Sequence, residues 1–239
     1  MNYKGLLEIK IREIKMINKG NLKGVGRKEE NWTKIKLGEP FHEVLEEFRE
    51  KVLPRDDFDA TSLLQFGLFM AKALINILTE TEKKLGKEGQ KVIIDALIKT
   101  GYEIGSQIVH NISIPENISD IELMSFLATI INTQAWTSIE DPKIQNDTHC
   151  SFDILWCPLQ RIYKAFDCRV QRYLVQGIIN AFNDSKILKH EYQIDFKSTI
   201  PAGAETCYFS IVRKVAGEQD KWEGYSEELA QKALRKYET

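Results

Sequence analysis

The hydrophobic period of this chain, helical at first, changes near Pro115, and that change constrains the fold more than any other feature of the sequence. Before it, apolar residues recur at helical spacing; after it, several short stretches alternate in and out. Phe41, Val44, Leu45, Phe48 and Val52 mark one amphipathic face that ends near Pro54. Asp59 is placed to cap a longer helix with Phe66, Met70, Ala73, Leu74, Ile77 and Leu78 inward. Apolar residues wrap much of that helix, so it is expected to be central. Gly86 closes it, and a third helix carries Val92, Ile93, Ala96, Leu97, Ile104 and Ile108. Gly101 and Gly105 fall one turn apart on one side, where missing side chains let another backbone come close.

After a short helix around Asp120 to Phe126, residues 129–138 and 148–156 alternate and predict a hairpin about the turn signal Glu140-Asp141-Pro142. Residues 187–197 and 205–213 predict a second hairpin about Ile200-Pro201-Ala202-Gly203. Two helices are expected between them, over 158–183. The fold class is therefore α+β: a helical N-terminal half packed on a small antiparallel sheet built from two hairpins with two helices between them. The chain divides into an N-terminal extension or linker (1–39), a single α+β domain (40–215) and a C-terminal helical tail (216–239) capped by Ser226. The glycine-rich, basic stretch from Gly20 to Lys36 carries no P-loop or dinucleotide fingerprint and predicts a solvated connection without a phosphate site.

At 239 residues and 43% hydrophobic composition, the chain can bury a sizeable core. Its 33 basic and 35 acidic residues are interspersed, with a net charge of −2, so no global field draws it to nucleic acid or an anionic membrane. No apolar run is read as a transmembrane span, and no signal-peptide core is recognised at the N-terminus. Four cysteines in a chain this long do not make a secreted disulfide framework. A reduced, cytoplasmic setting is the expectation.

Three of those cysteines concentrate the candidate chemistry. Cys157 precedes Pro158, which suits the first position of a helix, so the thiol is expected to face the positive end of a helix dipole. Asp167 is placed to cap a second helix with Cys168 in its first turn. A thiol in such a field gains thiolate character, which suits nucleophilic work. Cys207 lies within a strand on the face of Phe209 and Ile211. The plainer reading of each is a buried thiol packing as a small hydrophobe. His149, Cys150 and the later cysteines lack paired zinc-ligand spacing, so no metal is expected.

From about residue 86 to 213 the chain resembles the family of L-2-amino-thiazoline-4-carboxylic acid hydrolase-like proteins. The resemblance rests on Cys157-Pro158, on Phe166-Asp167-Cys168, on Asn180-Ala181-Phe182-Asn183, and on the run from Ser198 to Phe209 that ends with Cys207. Thr100-Gly101-Tyr102-Glu103-Ile104-Gly105 is similar to vinyl-reductase-like ligand-binding domains. Arg169-Val170-Gln171 follows the second cysteine where an Asp would be expected in the hydrolase family. The resemblance implies a hydrolase that opens a small carboxylate-bearing heterocycle such as L-2-amino-thiazoline-4-carboxylate, with no cofactor. Cys157 or Cys168 would attack or polarise its electrophilic ring carbon, while His149, Asp153 or Asp167 moved protons. Arg161, Arg169 or Arg172 would hold the carboxylate through a guanidinium fork, with Cys207, Trp156 and Tyr208 beside it. The alternative is a non-catalytic small-molecule-binding domain of the vinyl-reductase-like type, walled by Trp136, Trp156, Tyr192 and Tyr208. In either case the expected partner is a small substrate or ligand, not nucleic acid or membrane, with a homodimer as an option.

Overall fold

The computed structural model describes residue 26, residues 34–110 and residues 112–237. Most of the predicted N-terminal linker, including its basic glycine-rich run, lies outside the described residues. Its end does not: Ile35 is buried in the core, and Lys36 pairs with Ser113 as an isolated bridge.

The described chain begins with α1 (His42–Lys51), then α2 (Thr61–His110), which is broken at Gly86. Gly86 has φ 58° and ψ −140°, a conformation that a side chain would resist. The chain turns back there, since Gly89 sits against the carbonyl of Thr81, eight residues earlier. In a straight helix those residues would be about 12 Å apart. Ile75, Leu78 and Leu97 from the two halves then share one apolar cluster with Tyr163, Val170 and Tyr173.

The next helix, α3 (Asp120–Ile130), starts at a capping box. Ser119 accepts from the Glu122 amide, and the Glu122 carboxylate accepts from the Ser119 amide. It runs directly into a π-helical turn, Ile131–Ala135, in which the Trp136 amide reaches back to the Ile131 carbonyl. Residues 129–135 are thus helical where the sequence predicts a strand over 129–138, and 136–138 connect them to the sheet. Their hydroxyls explain the false alternation: Thr129 donates to Ser125 O and Thr133 to Thr129 O, satisfying polar side chains inside the helix.

The sheet has four antiparallel strands, β1 (Ile139–Asn146), β2 (His149–Trp156), β3 (Tyr192–Ser198) and β4 (Cys207–Arg213), in the order β1-β2-β4-β3. It is built from two hairpins, as the alternation predicts, and the fold is α+β with the helical half packed on it. The first hairpin is shifted. Glu140-Asp141-Pro142 lies within β1 rather than in a turn, and the turn falls at 147–148. β1 is an edge strand, where proline's missing N–H removes no ladder bond.

Between the hairpins stands one helix, α4 (Arg169–Asp184), not two. Residues 158–168 form successive turns. Two local forces explain this. Leu159 and Tyr163 are drawn into the cluster beneath α2, and the Asp167 carboxylate accepts from the Lys164 amide instead of capping a helix. The C-terminal helix α5 (Lys221–Leu234) is capped by Asp220, which accepts from Trp222 and Glu223; Ser226, the expected cap, is buried inside the helix. The Asp is the better cap because it stands at the extended residue that precedes the turn.

α2 crosses α4 at very short range. A Cβ on Gly101 would lie 1.9 Å from the Leu174 carbonyl oxygen, and one on Gly177 2.0 Å from that of Ile98. The glycine pair read from the sequence therefore serves backbone-on-backbone packing. The other side of α4 faces the sheet. The expectation that the Asp59-capped helix is central holds only for one face of its later turns: Ile75 and Leu78 are buried, whereas residues 61–70 of α2 carry no buried side chain and Phe66, Met70 and Ile77, expected inward, are exposed.

Candidate functional site

A cavity of about 140 Å³ lies between α4 and the inner face of the sheet, bordered by α3, the π turn and α5. Sheet alternation aims Phe152, Ile154, Ile194, Phe196, Cys207 and Phe209 into it. From the helical side come Leu127, Asn132, Trp136, Val175, Ile179 and Trp222. The lining is overwhelmingly apolar.

Cys157, Cys168 and Cys207 all line this cavity, as expected of a shared site. Their electrostatics differ from the expectation. Cys157 is followed by turns, so no helix dipole acts on it. Cys168 occupies the N-cap position of α4 without making a side-chain cap bond. Burial pushes its thiol up to about 12, with the neighbouring Cys207 and Cys157 adding to the effect and Arg172 opposing it. Cys207 is also raised by burial, although it accepts a hydrogen bond from the Ile200 amide at 3.1 Å.

Of the three candidate arginines, Arg172 alone reaches the cavity. It is 4% exposed, and its Nη1 and Nη2 have no hydrogen-bond partner among the described residues. Its guanidinium carbon lies 3.5 Å from the ring centre of Phe196, 3.9 Å from Tyr225 and 5.7 Å from Trp222. These rings also contact one another, with Phe196 4.9 Å from Trp222 and 5.4 Å from Tyr225. Burial holds Arg172 down at about 10; the nearby Tyr225 hydroxyl eases this without meeting hydrogen-bond geometry. Arg169 is committed elsewhere. Its Nη2 donates to Glu82 Oε2 at 2.7 Å in a buried ion pair that Gln90 completes, donating to Glu82 Oε1 and to the Ala230 carbonyl. Arg161 is exposed on the turn run and lies outside the lining.

The expected proton handlers are also elsewhere. His149 and Asp153 alternate with the inward residues of β2 and face away, where His149 bonds Ser210 and Asp153 accepts from Thr206. Asp167 is held by the Lys164 amide. Among the described residues, no carboxylate or imidazole lines the cavity. Of the expected walls, Trp136 and Tyr192 line it. Trp156 is at an exposed strand end and Tyr208 points to the opposite sheet face. Sequence reasoning missed Asn132, Phe196 and Tyr225. The π turn that carries Asn132 toward the cavity has no sequence signature of its own.

No protein-family model matches the chain. A protein from Archaeoglobus fulgidus, described as uncharacterized, is 43% identical over 201 residues, covering 82% of this chain and 88% of the relative. The chain belongs to that protein's family. The family's shared stretch is long enough to include most of the fold described above. A solved structure of a trafficking protein particle complex subunit 3 from Naegleria fowleri, covalently bound to palmitic acid, aligns with a TM-score of 0.36 and 13% identity, covering 64% of this chain and 99% of that one. Similarity at that level bears on neither mechanism nor ligand.

Proposed function

We propose that this protein is a small-molecule-binding domain whose cavity takes a compact apolar carboxylate, with Arg172 as the anchor. The observation that carries this reading is a buried guanidinium, without a hydrogen-bond acceptor, in an otherwise apolar cavity. A buried charge left unpaired is expensive, and a carboxylate is the group whose geometry meets an arginine fork with two parallel hydrogen bonds. The volume sets the size. A cavity of about 150 Å³ accepts a ring such as benzene, so a benzoate-sized acid or a short branched acid fits the space beside Arg172.

The convergence of three thiols supports a second reading, the ring-opening hydrolase. Against it, Cys168 and Cys207 are held in the thiol form, and the cavity lining offers no carboxylate or imidazole to move a proton. Titration calorimetry with benzoate, benzene and L-2-amino-thiazoline-4-carboxylate, with product analysis of the last, separates the two. Benzoate binding that exceeds benzene binding, without turnover of the thiazoline, is the expected result. Turnover that Cys157→Ser abolishes in a folded protein would overturn the binding-domain reading.

A further inference from the structure

Among the described residues, the first half of α2 carries a run of exposed apolar side chains. Leu63, Phe66, Phe69, Met70 and Ile77 are between 47% and 64% exposed. By length and composition this helix could cross a membrane, contrary to the sequence expectation, and only 11% of its most apolar 18-residue window is buried. Exposed apolar area of this kind, on the order of 500 Å² here, marks an interaction surface. Leu63, Phe66, Met70, Ala73 and Ile77 are spaced 3-4-3-4, the repeat of a helix–helix seam. Ile75, Leu78 and Leu68, on the far side of the same helix, pack into the protein's own core.

We infer that this seam pairs antiparallel with the same seam of a second copy about a twofold axis at Met70. Size complementarity supports a self-pairing. Centring on Met70 sets Leu63 level with Ile77 and brings bulky Phe66 within one residue of small Ala73, and every contact is repeated by symmetry. Charge favours the antiparallel orientation. A parallel pairing would stack Lys83 and Lys84, both exposed on the helix, on their own duplicates. About 500 Å² from each copy would bury about 1,000 Å² in all, the lower end of what a specific interface needs. A membrane suits the surface less well. The polar edge Ser62, Gln65, Lys72 and Asn76 holds one cation, whereas interfacial helices carry a basic polar face. A membrane-spanning arrangement would pull Ile75, Leu78 and the Glu82–Arg169 ion pair out of the core.

Sedimentation velocity on the full chain tests the stoichiometry, and single cysteines test the register. The parent should sediment at twice the chain mass, and Phe66→Glu should raise the dissociation constant about 100-fold or more. Under mild oxidation Met70→Cys should form a disulfide-linked dimer above the parent background. Leu63→Cys should not, because antiparallel pairing sets the two copies of residue 63 about 21 Å apart along the axis. A monomer at every concentration, co-sedimentation of a monomer with neutral phosphatidylcholine vesicles, or efficient Leu63→Cys linkage would each overturn the inference. Circular dichroism guards against unfolded variants, and every substituted position is exposed in the free chain.

Discussion

Replacing Arg172 with methionine should have opposite effects on stability and on ligand binding. The displacement of Arg172 to about 10 corresponds to about 3 kcal/mol against the charged form in the folded protein at neutral pH. Contacts with the faces of Phe196 and Tyr225, at 3.5 and 3.9 Å, return about 1–3 kcal/mol. The two nearly cancel. Methionine keeps most of the apolar stem and places a polarisable sulfur against the same rings. Arg172→Met should therefore be as stable as the parent, or up to about 2 kcal/mol more stable, in urea unfolding at pH 7. Benzoate at 100 times its dissociation constant should stabilise the parent by about 2.7 kcal/mol and the variant hardly at all. The pH dependence has a definite sign. Between about 10 and arginine's ordinary value the unfolded chain binds a proton that folded Arg172 has released. The parent's stability relative to the variant should rise through that window, since the penalty is present in full only below it. A loss of more than about 3 kcal/mol at pH 7 would show Arg172 to be a structural brace with partners of its own. Unchanged benzoate affinity in the variant would refute the anchor outright.

Cys168 and Cys207 should alkylate slowly with iodoacetamide at pH 7.5 and quickly in urea; for Cys168, stability relative to Cys168→Ala should fall as pH rises from about 9 to about 12, because the unfolded thiol ionises first. Fast native labelling of Cys168 would contradict its burial. Glu82→Gln should cost about 3–5 kcal/mol in urea unfolding by leaving Arg169 unpaired, whereas Glu82→Leu/Arg169→Met should be close to neutral; additive losses would mean the two groups are not coupled. Gly101→Ala should destabilise by several kcal/mol, far beyond the usual ~1 kcal/mol helix-propensity gain from that exchange, since its Cβ would enter the Leu174 carbonyl. A variant as stable as the parent would mean that α2 and α4 are less closely packed.

What was legible in the sequence was what neighbouring residues decide among themselves. Cys150, Phe152 and Ile154 alternate inward, as do Tyr192, Ile194 and Phe196, because a strand's period is intrinsic to its pleat. Gly86 breaks its helix for an equally local reason. The errors arose where two local signals competed. Pro142 looked like a turn but sits where an edge strand tolerates it, and that depends on strand order, which no short window contains. The apolar circumference of residues 61–78 was read as burial. One face meets the core and the opposite face is bare, a distinction set by how far the rest of the chain reaches.

The candidate site divides along the same line. That three cysteines would meet was readable, because hairpin pairing and alternation carry Cys207 to the face that Cys157 and Cys168 approach. Their reactivity was not, and magnitudes show why. A helix N-terminus favours a nearby anion by typically 0.3–1 kcal/mol, and about 2 kcal/mol at best. Raising the Cys168 thiol to about 12 corresponds to about 4 kcal/mol in the other direction, and burial is its largest cause. Desolvation wins, and depth is a property of the whole fold rather than of the residues beside the cysteine. Arg172 shows the converse. On its helix it reads as one more exposed cation, and it becomes a buried one only because Phe196 and Tyr225, 24 and 53 residues away, close over it. A charge placed that deep without an acceptor is the feature of this molecule that most needs a ligand to explain it.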